Sequence, residues 1–255
     1  MKKIKCIGLT ANTKNYSAVK AARKAKKLLE LLGVKVIGIK GIRAGEEKEL
    51  KHFDCDLCIV FGGDGTMLHA AREVSGKIPL IGVNCGTEGH LMQLNEKNFL
   101  QEIPSLAKGK FSVEKRMRLQ AFNGKKRTPL SLNEVTLAAR ESVTLIRYEL
   151  KVNGRKVWED ASDGVIIATP TGSSAHAYSA GGKKLRAGSE AIEIVPINST
   201  KREKRKARVF GANAKIELLP KQEDAWIIID GQVREKANGK ISVRKGNGAR
   251  VALLN

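Results

Sequence analysis

The feature that most limits what this chain can fold into is a change of hydrophobic period near residue 115. Before it, short β-branched runs alternate with longer helical patterns. Lys3 to Leu9 predicts a strand, and Ser17 to Leu32 a helix, with Val19, Ala22, Ala25, Leu28, Leu29 and Leu32 near helical spacing and Gly33 as its stop. Val34 to Ile39, Leu57 to Phe61 and Ile78 to Val83 read as further strands, with helices predicted after Thr66 and over Lys97 to Ala107. Such alternation predicts a parallel sheet covered by helices. From about Lys115 the period falls to two. Leu132 to Ala138, Thr144 to Val152, Arg155 to Trp158, Val165 to Ala168, Ala191 to Val195, Lys215 to Leu219, Ala225 to Ile229 and Lys240 to Val243 all read as strands, and Asn153-Gly154 signals a hairpin. The expected architecture is an α/β N-terminal domain with a parallel sheet, residues 1–112, joined to a β-rich C-terminal domain, residues 113–255.

Charge narrows the partners. The 255 residues carry 47 Lys plus Arg against 26 Asp plus Glu, a formal charge of +21. That excess calls for an acidic partner, polynucleotide or small phosphorylated ligand, and does not choose between them. With Phe 6, Trp 2 and Tyr 3 there are few rings to stack unpaired bases, so no specific nucleic acid is expected. The run Lys201 to Arg208 reads as a solvated loop or edge strand. No apolar run approaches the roughly 18–20 residues that cross a bilayer, and Met1-Lys2-Lys3 leads into an alternating segment rather than a signal-peptide core. A cytoplasmic chain without a membrane partner is expected. Cys6, Cys55, Cys58 and Cys85 read as free thiols; Cys55 and Cys58 have C-x-x-C spacing, but no second pair completes a zinc site.

Gly62-Gly63-Asp64-Gly65-Thr66 lies between a buried-looking strand and a helix. Glycines there let backbone N–H groups approach a phosphate, and the helix N-terminus adds about half a positive charge. No Lys-Ser/Thr follows as in a Walker A loop, and Leu68 stands where a dinucleotide fingerprint needs its third glycine. A carboxylate beside a phosphate repels it unless magnesium intervenes or the acid has a proton to remove. Phosphoryl transfer to a hydroxyl supplies both reasons, and Asp64 fits the acceptor's base by position. The plain alternative is a tight turn capped by Asp64 or Thr66.

A second glycine-bearing loop, Asn84 to Gly89, follows the next strand, and in a parallel sheet both loops emerge at strand carboxyl ends, where they can border one crevice. Asn133-Glu134 and Asp163-Gly164 adjoin strands in the β-rich half; their side chains suit the vicinal hydroxyls of a ribose, though alone each is an ordinary turn. Thr169-Pro170-Thr171-Gly172-Ser173-Ser174-Ala175-His176, closed by Gly181-Gly182, leaves room for a flat ring ringed by hydroxyls.

Taken in order, Gly62 to Thr66, Asn84 to Gly89, Leu132-Asn133-Glu134, Asp163-Gly164, Thr169 to Gly182 and Asp230-Gly231-Gln232 resemble the NAD kinase family over roughly residues 57–232. The first motif is shared with lipid kinases and resembles one in phosphofructokinases; the long Thr-Pro-Thr-Gly-Ser-Ser-Ala stretch is the specific one. The resemblance implies an NAD kinase-like fold and transfer of phosphate from ATP, or polyphosphate in some members, to the 2′-hydroxyl of the adenosine ribose of NAD. It implies a divalent metal, expected to be Mg2+, with no metal ligand assigned, and a homodimer or homotetramer with NAD between domains. Carried over by position, Asp64 is the general base and Gly65 its neighbour at the nucleotide. His69 is a ligand contact, Asn133 and Glu134 hold ribose hydroxyls, and Asp163 meets the nicotinamide side. Ser174, Ala175, His176 and Ser179 line the dinucleotide, and Gln232 approaches from the last motif. His176 departs from the family's usual Tyr; Tyr178, two residues on, is either its substitute or is turned away by alternation, and Ala161 departs from a usually basic residue. The chain also stops at Asn255, without the further C-terminal segment many members possess. Two other readings stay open: the same chemistry on a lipid or sugar acceptor, and a non-catalytic nucleic-acid binder motivated by the charge.

Overall fold

The computed structural model describes residues 4–38, 49–87, 89–141, 144–201, 206–221 and 224–254. In chain order the elements are β1 (Cys6–Ala11), α1 (Tyr16–Leu31), β2 (Lys35–Gly38), β3 (Leu57–Gly62), α2 (Asp64–Glu73), β4 (Pro79–Asn84), β5 (Leu94–Asn95), α3 (Phe99–Ala107) and β6 (Ser112–Arg116). There follow β7 (Leu119–Asn123), β8 (Lys126–Ser131), β9 (Glu134–Ala139), β10 (Ile146–Val152), β11 (Arg155–Ser162), β12 (Gly164–Ala168) and α4 (His176–Ser179). The remainder is β13 (Ala191–Ile197), β14 (Arg208–Gly211), β15 (Ile216–Pro220), β16 (Ala225–Ile229), β17 (Val233–Lys236), β18 (Ile241–Lys245) and β19 (Ala249–Leu253). Two compact units result, residues 1–115 with 249–255, and residues 116–248. No described helix is long and apolar enough to cross a membrane.

The first unit is the expected parallel sheet, in the order β2-β1-β3-β4-β19-β6 with β5 beside β4. β3 is buried along its whole length and β4 over all but its last residue, as strands covered on both faces must be. α1 starts where the Asn15 side chain accepts the Ala18 N–H at 3.2 Å, and Gly33, at φ +73°, ends it. Its Ala18, Ala21, Ala22, Ala25 and Leu29 are buried. α2 begins at Asp64 itself rather than after Thr66, because Gly63 takes the cap position and its carbonyl accepts the Thr66 N–H at 2.9 Å.

The second unit is two antiparallel sheets, β11-β10-β15-β18-β7-β8 and β14-β13-β12-β9-β16-β17, whose inner faces share one apolar core that includes Tyr148, Leu150, Ile167, Ile194 and Ile227. Asn153 and Gly154, at φ 52° and 78°, make the expected hairpin between β10 and β11. Strands beyond those expected are β5, β6, β7, β8, β14 and β17. Of these β6, β8, β14 and β17 are sheet edges, where half-buried sequences such as Lys126-Arg127-Thr128-Pro129 give little apolar alternation. One segment departs from the division drawn from sequence: Ala249–Leu253 leaves the β-rich half and pairs parallel with β4, with Ala252 in the first unit's core. Four residues of the basic run, 202–205, lie outside the described residues, and Arg208 begins β14.

Candidate active site

In the first unit the motif after β3 is locked by close approach. A Cβ on Gly62 would lie 2.8 Å from Thr66 Cβ, so only glycine lets the strand turn into α2 there. Asp64 is the first residue of the helix, and half-buried. The second loop supplies its partners: the His90 N–H donates to Oδ2 and the Leu91 N–H to Oδ1, each at 2.9 Å. Cys85 N–H also donates to the Gly62 carbonyl at 2.9 Å, and Asn15 Nδ2 to the Cys85 carbonyl at 2.8 Å. Each carboxylate oxygen therefore spends one acceptor position on orientation and keeps the other for a ligand. One turn on, His69 is exposed, and Arg72 Nη2 stands 3.1 Å from its Nδ1. A guanidinium can only donate, so the ring proton falls on Nε2. Burial, and then the Arg72 charge, hold this imidazole below its usual range against the opposing pull of Glu73.

In the second unit a buried carboxylate organises the corresponding loops. Asp230, at φ +50°, accepts from Ser131 Oγ at 2.6 Å and from the N–H groups of Leu132 at 3.1 Å, Asn133 at 2.8 Å and Glu134 at 3.3 Å. Its own N–H donates to the Glu134 carbonyl at 3.0 Å. With the turn held by its backbone, the side chains are left over: Asn133 Oδ1 and Glu134 Oε2 are buried without a hydrogen-bond partner. Burial, reinforced by the Asp230 charge, pushes the Glu134 carboxyl up to about 8. At neutral pH it keeps its proton and can donate as well as accept.

The hydroxyl-rich segment packs on the same turn. Thr169 donates its N–H to the Asn133 carbonyl at 2.8 Å and its Oγ1 to the Leu132 carbonyl at 2.6 Å. A Cβ on Gly172 would lie 2.6 Å from Asn133 Cα, so glycine is what permits the contact. Thr171 Oγ1 is a third buried group without a partner. Beyond it Ser174 and His176 are exposed, Ala175 half-buried, Ala177 buried and Ser179 exposed. Partial desolvation of its ring, though the residue as a whole is exposed, alone lowers the His176 imidazole from its usual range.

The comparisons fall on the whole of this framework. Residues 3–111 match the ATP-NAD kinase N-terminal domain and residues 132–253 the ATP-NAD kinase C-terminal domain. The chain belongs to the NAD kinase family. It is 32% identical to the NAD kinase of Methanopyrus kandleri over 251 residues, 96% of this chain and 91% of that one. It is 35% identical to the NAD kinase of Methanothermobacter thermautotrophicus over 193 residues, 75% and 68% of the two chains. The crystal structure of an NAD kinase from Archaeoglobus fulgidus in complex with ATP superposes with a TM-score of 0.82 at 28% identity, covering 96% of this chain and 92% of that one. Yeast NADH kinase complexed with NADH, at 20% identity and a TM-score of 0.85 over 100% and 85% of the chains, shares the fold.

Within this NAD kinase framework the residues singled out from sequence are grouped unevenly. Asp64, Gly65 and His69 share the first turns of α2. Asn133, Glu134 at the start of β9, Ser174, Ala175, and His176 and Ser179 on α4 gather at one end of the β12–β9 pair, where Ala168 faces Glu134; Gln232 joins them through the turn after β16. Asp163 does not: it precedes β12 while Thr169 follows it, and six residues of extended chain separate them by roughly 20 Å. There Asn198 Nδ2 donates to its Oδ2 at 2.8 Å. Tyr178, two residues on from His176, is half-exposed, with Lys184 Nζ 4.6 Å from its ring centre. Ala161 stands directly across from Arg147 in the β10–β11 ladder, and both line a cavity of about 960 Å3 with Lys201 and Arg208. Sequence reasoning passed over Asp230, giving its motif to Gln232. The available signal was an Asp-Gly turn closing an apolar strand, but its targets lie almost a hundred residues away.

Proposed function

We propose that the chain transfers the γ-phosphate of ATP to the 2′-hydroxyl of the adenosine ribose of NAD, forming NADP and ADP, with Asp64 as general base. The observation that carries this reading is the carriage of Asp64, aimed by two amides at the start of a helix whose N-terminal N–H groups suit phosphate. As the ribose oxygen bonds to phosphorus and the bond to the bridging oxygen breaks, Asp64 takes the hydroxyl proton. Gly65, exposed on the same turn, lets phosphate approach the backbone, and His69 offers Nε2–H to ligand oxygen.

The second unit is assigned to holding the dinucleotide. The unmet Asn133 Oδ1 and the protonated Glu134 suit a ribose diol, whose hydroxyls both donate and accept. Ser174, Ala175, His176 and Ser179 line the dinucleotide, and Gln232 approaches from the turn after β16. Asp163, at the far end of β12, is assigned to the nicotinamide side, and the chain to a homodimer or homotetramer.

Among the described residues no three of His, Cys, Asp and Glu converge as a metal site. Asp64, whose carboxylate oxygens each keep an acceptor position, would be the protein group to meet a Mg2+ carried in with the donor. When bound, the ion neutralises charge on the transferred phosphoryl group. Four free thiols accord with a cytoplasmic setting.

The test is an assay of purified chain with NAD or NADH, Mg2+ and either ATP or polyphosphate, analysed for the position of the new phosphate. Asp64→Asn is expected to lose about 10²–10⁴-fold in kcat while NAD still binds. An unchanged rate would remove Asp64 from this role.

A further inference from the structure

Glu193, on β13, is a fully buried acid that the reading above leaves without work. It is 0% exposed, and its strand neighbours explain where it points. Ile192 and Ile194 face the core shared by the two sheets, so Glu193 and Val195 face the other side, where Val195 packs with Ala168 and Ala177. In register it lies opposite Ala168, the last residue of β12 before the hydroxyl-rich segment. An apolar side chain would suit that face better, since a buried carboxylate is costly without hydrogen bonds.

The acid supplies an acceptor. Glu193 Oε1 takes the Lys183 N–H at 2.7 Å, and a Cβ on Gly182 would stand 2.9 Å from Oε2, which has no hydrogen-bond partner. Residues 182–186 form no helix or strand, so their backbone needs outside partners. In the segment from Thr169 to Leu185, Thr169 ties the start to Asn133 and Leu132, and further along the chain folds on itself: Gly182 N–H donates to the Ala177 carbonyl at 2.8 Å, and Leu185 N–H to Ser173 Oγ at 2.8 Å. α4, four residues long, is too short to hold its own position.

We infer that Glu193 is a positioning residue: by accepting the Lys183 N–H it clamps the return of this arch to the sheet and fixes the reach of His176 and Ser179 toward the dinucleotide. The inference rests on the assignment of those residues to NAD, and two readouts keep the two ideas apart. Hydrogen exchange of the full chain reads the clamp alone. In Glu193→Ala, and in Glu193→Leu, which keeps the volume and gives up the acceptor, peptides spanning residues 177–185 should exchange about tenfold faster, the factor that ~1.4 kcal/mol produces. Glu193→Gln, which keeps a carbonyl oxygen for Lys183, should restore protection. Steady-state kinetics read the consequence: KM for NAD should rise by about tenfold in the Ala and Leu variants with kcat and KM for ATP within about twofold, and return in Gln. Unchanged exchange in both truncated variants overturns the clamp. Faster exchange with an unchanged KM for NAD keeps the clamp and overturns the assignment of the arch to NAD. Equal changes in both substrates' KM, or no rescue by Gln, mark Glu193 as general packing and overturn the inference.

Discussion

Replacing Glu134 by Gln tests how the second unit holds its ligand groups in readiness. The carboxyl is 5% exposed, Oε2 has no partner, and burial with the nearby Asp230 charge pushes it up to about 8 from 4.5. Between those values the folded chain keeps the proton and the unfolded chain has released it. The unfolded state then binds fewer protons, so stability falls as pH rises. At about 1.36 kcal/mol per pH unit, the loss begins near 4.5, reaches about 3 kcal/mol at pH 7 and levels off above about 8. Gln keeps the shape and cannot ionise, so the variant should match the wild type near pH 5 and exceed it by up to about 3 kcal/mol at pH 7. Urea unfolding from about pH 5 to about pH 8, followed by Trp158 and Trp226, reads this directly, since both tryptophans lie in the second unit. All other titrating groups are common to the two proteins, so the difference isolates position 134. A difference that stays constant with pH, or a variant less stable at pH 7, refutes the reasoning.

Two further outcomes follow from the same geometry. Asp230→Ala strands the Ser131 hydroxyl and the N–H groups of Leu132 and Asn133 inside the protein and should cost about 2–4 kcal/mol in the same unfolding assay; a loss under about 1 kcal/mol would mean the turn holds itself. Because partial desolvation holds the His176 imidazole low, a pyrophosphate beside it should favour the cation, and NAD affinity should rise as pH falls through a midpoint below 6.5 in the free protein. Calorimetric titration across about pH 5.5 to 8 checks this, and a flat profile removes His176 from the ligand's charge.

Much of the candidate site was legible because its signals are local. Gly62 to Thr66 declares itself by a strand, a glycine turn and a helix within a dozen residues, and Asn153-Gly154 by the positive φ its hairpin needs. The pairing of Asp64 with the loop after β4 was expected only as proximity. The two amide bonds that aim its carboxylate come from residues 26 and 27 positions away, and no spacing rule predicts them.

What the residues alone determined is the alternation of strand and helix before residue 115, the two-residue period after it, and the glycine and hydroxyl motifs, since propensity, hydrophobic period and turn chemistry act over a few neighbours. Tertiary structure decided what depends on partners distant in sequence. It returned Ala249–Leu253 to the parallel sheet, gave Asp230 four donors, set Asp163 at the opposite end of β12 from Thr169, and buried Glu193 beneath the arch. The physical reason is that a buried polar group must find its partner wherever the fold brings one, and the pattern of apolar residues that drives the fold carries no record of which one it is.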